Sequence, residues 1–191
     1  MKVIAFNGSP RKNGNTFLLL NMVLKEIAAE GIETKLIQLG AQPLRGCIGC
    51  LRCQEKQNQQ CVLNDDKMNE YIKEMLSADG IILGSPTYVA GASANLHALI
   101  ERAGLVVKVN DDMFKRKVGA AVVAVRRGGA TTVFSSINYF FLISQMIVPG
   151  SSYWNEGIGL AAGDVEHDEE GKRTMANLGK NMAWLIKKIQ P

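Results

Sequence analysis

The sequence predicts an α/β protein, a doubly wound open sheet of five parallel strands with helices on both faces. Two observations carry this. Short apolar runs without helical periodicity recur along the chain, each closed by a Gly- or Pro-bearing turn, the pattern of strands buried on both faces. Between them lie longer stretches whose apolar residues step by three and four, the period of an amphipathic helix. The 191 residues, 47% hydrophobic and 21% charged, suffice for one well-buried core and are short for two. Residues 1–191 therefore read as a single domain.

The first strand is expected at Val3 to Phe6, and the helix after it carries Leu20, Val23, Leu24 and Ile27 on one face up to a stop at Gly31. Ile32 to Leu39 is more polar and reads as an edge strand. Ile81 to Leu83 is the third strand, followed by a helix with Leu96, Leu99, Ile100 and Ala103 on one face up to Gly104. Val118 to Val125 is the fourth. The segment Thr131 to Met146 is helical, with Val133, Ile137, Phe140, Phe141 and Ile143 covering much of its circumference. Such a helix is buried on more than one side, which suits core plus a subunit interface. A fifth strand is expected at Ser152 to Ile158. Met175, Leu178, Met182, Leu185, Ile186 and Ile189 then form the core stripe of a last helix, with Lys180, Lys187 and Lys188 outward.

Five strands alternating with helices, joined by right-handed crossovers, give a flavodoxin-like three-layer sandwich of strand order 2-1-3-4-5. Every strand-to-helix loop of such a sheet opens on its carboxyl edge, where ligands bind at the switch point. The function is therefore to be sought in those loops.

Composition removes several classes. The formal charge of +4 comes from scattered residues, with short basic runs at Lys115–Lys117, Arg126–Arg127 and Lys187–Lys188. That is not a nucleic-acid footprint, though a mildly positive surface suits an anionic cofactor or an acidic redox partner. The N-terminus, with an apolar run of four residues, is neither a signal peptide nor a membrane span, so a cytoplasmic protein is expected. Only two histidines occur, and neither a Ser-His-Asp set nor a G-x-S-x-G elbow can be assembled. The stretch Gly157 to Ala162 fits G-x-G-x-x-A, but Gly163 to Gly171 is acidic and polar and no second βαβ unit remains, so it reads as a coincidental turn.

The first loop, Asn7 to Thr16, runs from a buried strand straight into a helix. Its glycines let backbone N–H groups turn inward, Ser9, Asn13, Asn15 and Thr16 offer donors, and Arg11 adds a charged fork beside the positive helix end. No Gly-Lys-Ser/Thr follows Gly14, so this is not a Walker A loop and a monophosphate fits better than a nucleoside triphosphate. A polar turn with an Asn15 or Thr16 cap and no ligand is the alternative. After the third strand, Gly84-Ser85-Pro86-Thr87-Tyr88 offers a fixed proline and an aromatic to a planar ring. After the fourth, Gly128 and Gly129 permit close backbone approach.

These loops, Gly8-Ser9-Pro10-Arg11 through Asn15-Thr16 followed by Ser85-Pro86-Thr87-Tyr88, resemble the NAD(P)H-dependent FMN reductase branch of the flavodoxin superfamily. The resemblance implies that Ser9, Arg11, Asn13, Asn15 and Thr16 hold the FMN phosphate. It implies further that Pro86, Thr87 and Tyr88 border the isoalloxazine and that Gly128 and Gly129 close its far side.

All four cysteines fall between Cys47 and Cys61, in a cysteine-rich loop at 46–62. Cys47, Cys50 and Cys53 stand three apart, and Cys61 comes after seven further residues. Three cysteines at successive intervals of three let one tight loop wrap three corners of a cubane while the fourth returns from a short excursion. Zinc or unliganded thiols are the alternatives, although zinc usually takes cysteines as two separated pairs. Arg45 and Arg52 flank the cysteines as surface arginines or as counter-charges to a cluster. This C-x2-C-x2-C-x7-C pattern is similar to the 4Fe-4S motif of the iron-sulfur flavoproteins. That resemblance implies an electron-transfer oxidoreductase with FMN and a cluster, NAD(P)H or a ferredoxin-like protein as donor, and no side chain as catalytic acid or base. It also implies a homodimer or homotetramer that brings one subunit's cluster towards another's flavin.

Overall fold

The computed structural model describes residues 1–40 and 42–189. Its sheet comprises β1 (Lys2–Asn7), β2 (Glu33–Gln38), β3 (Gly80–Pro86), β4 (Val118–Val125) and β5 (Glu156–Ile158), in the order β2-β1-β3-β4-β5 with all neighbours parallel. The helices are α1 (Asn15–Ala29), α2 (Arg52–Lys56), α3 (Met68–Ser77), α4 (Ala94–Val109), α5 (Ala130–Ile143) and α6 (Glu169–Ile189). Side chains alternate across a strand, so Val3 and Ala5 of β1 pack with α1 and α6, while Ile4 and Phe6 pack with α3, α4 and α5. Two apolar layers thus cover the sheet, as a parallel sheet requires. This is the expected three-layer arrangement, with polar β2 at an edge.

Three boundaries differ from expectation for visible reasons. β5 is three residues long instead of seven, because the chain curls ahead of it, Glu156 N–H reaching the Trp154 carbonyl at 2.7 Å, and pairing begins only afterwards. Gly104 does not stop α4, which continues to Val109. A glycine inside a helix costs about 1 kcal/mol relative to alanine, and a Cβ here would make an ordinary contact with the Phe140 ring of α5 at 3.4 Å. On α5, Val133, Ile137, Phe140 and Phe141 are buried as expected, whereas Ile143 faces outward with Tyr139 and Leu142. The stretch between β2 and β3 folds into the two short helices α2 and α3, which no strong period announces. Among the described residues no helix is long and apolar enough to cross a membrane.

Candidate functional site

The carboxyl ends of β1, β3, β4 and β5 surround an open cleft, the place where sheets of this kind take their ligands. On one side stands the loop from β1 to α1. The Asn7 side chain braces it, accepting from Ser9 N–H at 3.1 Å and donating to Gln38 Oε1 at 2.7 Å, while Gln38 donates on to the Ser9 carbonyl. Gly8 N–H donates to the Gly84 carbonyl at 2.8 Å, and a Cβ on Gly8 would collide with that same oxygen, so β1 and β3 approach as only glycine permits.

The helix start is built for an anion. Gly14 is the N-cap of α1, no side chain caps the helix, and its first turn holds no acidic residue. The first N–H groups of any helix lack intrahelical partners and carry the positive end of its dipole. Ser9, Arg11, Gly14, Asn15 and Thr16 line the cleft, and Ser9 Oγ accepts from Arg11 N–H at 3.1 Å. Asn15 is already engaged across the cleft wall, donating to the Ala161 carbonyl at 2.8 Å and accepting from Gly163 N–H at 2.9 Å. Asn13 is exposed and is not among the residues lining the cleft.

Pro86, Thr87 and Tyr88 form the facing wall. Thr87 N–H continues the ladder to the Ala124 carbonyl at 2.8 Å. Tyr88 and Gly91 then exchange both backbone hydrogen bonds at 2.9 Å around Val89 and Ala90, which have φ of 50° and 57°. A left-handed β-branched residue is strained, and such strain concentrates at functional loops. Thr87 Oγ1 is buried without a hydrogen-bond partner. Gly129, at φ 91°, packs behind this wall, where a Cβ would press on Ala90 and Thr87. Gly128 is exposed, and neither glycine lines the cleft. The lining includes residues that sequence reasoning passed over, Ala124, Val125 and Arg126 at the end of β4 and Gly159 and Leu160 after β5. The latter two belong to the segment set aside as a coincidental turn. Its position after a strand was the signal that it opens on the same edge.

A second, narrow cavity is lined by all four cysteines and by Arg102, Leu105 and Val106 of α4. It shares no lining residue with the cleft. Cys47 and Cys50 are exposed, Cys61 is half-buried, and Cys53 on α2 is 7% exposed. The tight path between them passes through left-handed Gly49, Leu51, Gln57 and Gln59. Burial pushes the Cys53 thiol up, and negative charge on Cys61 and Cys47 would push it further, although backbone N–H donors pull it down. Among the described residues no three His, Cys, Asp or Glu side chains gather tightly enough to hold one metal ion.

The segment is anchored to α4 and α3. Asn95 accepts from Leu44 N–H, Glu101 accepts from Cys47 N–H at 3.1 Å, and Asn110 accepts from Gln59 N–H at 3.0 Å. Asn69 of α3 clamps Cys61 through both its backbone groups. Arg102, 1% exposed, donates to Cys61 Sγ at 3.3 Å, to the carbonyls of Arg45 and Leu63, and to the Asp66 carboxylate. Burial raises the Asp66 carboxyl, but Arg102 and two backbone N–H groups outweigh it and hold the group below its usual range. Burial alone would lower the guanidinium, and its bonds to Asp66 and Cys61 keep it raised instead. Arg45 and Arg52, read as surface arginines or as counter-charges, are both exposed, and Arg45 pairs with Asp65. His97 also faces solvent. Arg102 did have a sequence signal, since it falls on the same face as Leu99 and Val106, and a charge on an apolar stripe requires partners.

Fold and cleft together define the flavodoxin-type class. Over residues 1–160 the chain matches the family described as NADPH-dependent FMN reductase. It is 44% identical to an iron-sulfur flavoprotein of Methanocaldococcus jannaschii across the whole of both chains. It is 32% identical to the iron-sulfur flavoprotein of Methanosarcina thermophila, over all of this chain and 97% of the other. In fold it is similar to RosB, solved with bound 8-demethyl-8-formylriboflavin-5′-phosphate, at a TM-score of 0.72 and 16% identity over all of this chain and 80% of that one. A WrbA-like flavodoxin from Agrobacterium tumefaciens gives 0.66 at 14% identity, over 98% of this chain and 97% of the other. The chain belongs to the iron-sulfur flavoprotein family, within the NADPH-dependent FMN reductases. It is an FMN-dependent oxidoreductase.

Proposed function

We propose that this chain is a two-centre electron-transfer oxidoreductase, holding FMN in the cleft and a 4Fe-4S cluster on Cys47, Cys50, Cys53 and Cys61, with NAD(P)H or a ferredoxin-like protein as electron donor. FMN accepts a hydride or two electrons and releases them singly, and a cluster handles one electron at a time. The observation that carries the reading is that all four cysteines border one cavity closed by a buried guanidinium, separate from the cleft. Zinc draws its thiolates to about 2.3 Å from a single centre, whereas a cubane spreads them over four corners.

At the cleft, the residues of the chain bind and orient. The N–H groups at the start of α1, the Ser9 hydroxyl and Arg11 take the phosphate. Thr87 and Tyr88 meet the ring edge, and Arg126 lies at the mouth. The unpartnered Thr87 hydroxyl supports this, since a buried polar atom without a partner is expected to find one in a ligand. Thr87→Val should raise the melting temperature of flavin-free protein, because the lone buried hydroxyl costs about 1–3 kcal/mol. The same variant should weaken FMN binding about tenfold, the 1.4 kcal/mol of one net hydrogen bond. A calorimetric FMN titration beside thermal melts checks both.

The reading includes a homodimer or homotetramer, in which a second copy covers the outward Tyr139, Leu142 and Ile143 of α5. It also treats the chain as one domain carrying the cysteine loop. The decisive experiment is the absorption spectrum of protein purified without oxygen, with iron and acid-labile sulfide assayed. About four of each per chain is the expected result. A flavin-only spectrum that persists after anaerobic reconstitution would leave a flavin reductase without a cluster. Mixing with NADH and NADPH separates the two donors, because a flavin bleached by neither takes its electrons from a protein.

A further inference from the structure

Arg102 is a full positive charge buried in the middle of α4, and its donors diverge. Nε–H points to Cys61 Sγ at 3.3 Å, Nη1 to the Arg45 carbonyl at 3.1 Å and to Asp66, and Nη2 to the Leu63 carbonyl at 2.8 Å. Arg45 lies two residues before the first cysteine and Leu63 two after the last, so one side chain ties together both ends of the cysteine segment. A planar fork serves these directions at once, which a lysine ammonium on a flexible stem does not. Asp66 balances the charge, and it bonds to Nη1, a different nitrogen from the one that meets the sulfur.

We propose that Arg102 positions Cys61 and sets the reduction potential of the cluster, with Asp66 opposing it. This rests on reading the four cysteines as cluster ligands. Adding one electron makes the cluster and its thiolates one unit more negative. A fixed cation bonded to a ligand sulfur stabilises the more negative state, and a nearby anion destabilises it. Net charge and hydrogen bonds to sulfur are both established levers on cluster potentials. The two residues of the pair therefore act with opposite sign. A merely structural role predicts otherwise, because losing either partner would only loosen the same loop.

The test is an EPR-monitored potentiometric titration, with dithionite as reductant, of wild type, Arg102→Gln, Arg102→Lys and Asp66→Asn, with iron and sulfide counted in each. Arg102→Gln should shift the one-electron equilibrium at least tenfold towards the oxidised state, about 59 mV downward. Asp66→Asn should shift it upward, since it removes the negative charge while an amide oxygen in the Oδ2 position still accepts from Arg102 and Arg45 N–H, only the bond from Met68 N–H to Oδ1 being lost. Arg102→Lys should recover part of the lost potential while holding less iron. Shifts in the same direction, or no shift with the cluster intact, would overturn the assignment. Should Arg102→Gln take up no cluster, the upward shift in Asp66→Asn remains required. Wild type without iron and sulfide would instead sink the cluster reading itself, before any variant is compared.

Discussion

Cys53→Ala is expected to reduce iron and acid-labile sulfide from about four per chain to below about one, while FMN stays at one per chain. Cys53 is the buried thiol of the set, held on α2 at the floor of the cavity, and Cys47 and Cys50 at the rim are exposed. Without the floor ligand, three thiolates face four corners and water reaches the remaining ones. No substitute is at hand. The chain has four cysteines in all, and the Asp66 carboxylate is held by Arg102 and by two backbone N–H groups. Flavin retention follows from the two cavities having no lining residue in common. Metal analysis and flavin fluorescence on the same sample provide the check. An unchanged iron count would remove Cys53 from the ligand set.

Gly14→Asp should separate stability from function at the other centre. Gly14 has φ −84° and ψ −178°, extended backbone open to any residue, and an added Cβ meets Arg11 Cβ at 3.1 Å on an exposed loop that is able to give. Relative to glycine, an aspartate at an N-cap stabilises a helix by about 0.3 kcal/mol. It also puts a carboxylate where the phosphate would sit. Two like charges some 5 Å apart repel by about 3 kcal/mol at an effective dielectric constant near 20, roughly a hundredfold in affinity. Flavin-free protein should therefore melt no lower than wild type, and FMN affinity should fall by about two orders of magnitude. Gly14→Asn caps without the charge, and its smaller loss isolates the repulsion from simple competition for the N–H groups. Unaltered FMN binding in Gly14→Asp would place the phosphate elsewhere.

The strands and long helices were legible because periodicity is local. Val118 to Val125 is a strand over its full expected length, and the polar character of residues 33–38 marked an edge. What failed depended on neighbours distant in sequence. Gly104 looked like a stop, yet α4 runs on to Val109, its far end packed on the core through Val106 and Val107. The loop after β1 and the string of cysteines were likewise readable as continuous segments, and each lines a cavity. Glu101, Arg102 and Asn69 were not, for each is one polar residue on a helix, and its partners lie 8 to 57 residues away. Asn15 shows the converse: its type and place were right for an anion loop, yet its hydrogen bonds go to the turn after β5.

α4 begins immediately after the strained turn that carries Tyr88 and reaches Arg102 in its ninth residue. At 1.5 Å per residue, that places the guanidinium's backbone about 12 Å along the axis from the helix's first residue. A helix neither stretches nor slides along itself, so α4 is a ruler between the Tyr88 turn and the cysteine loop. Substitutions in either surface loop alter what is held at the ends of that ruler, not its length. One residue inserted or deleted between Ala94 and Arg102 would do the reverse. It would turn Arg102 by about 100° about the axis and carry the charge away from the sulfur, leaving each binding segment chemically intact but out of step with the other.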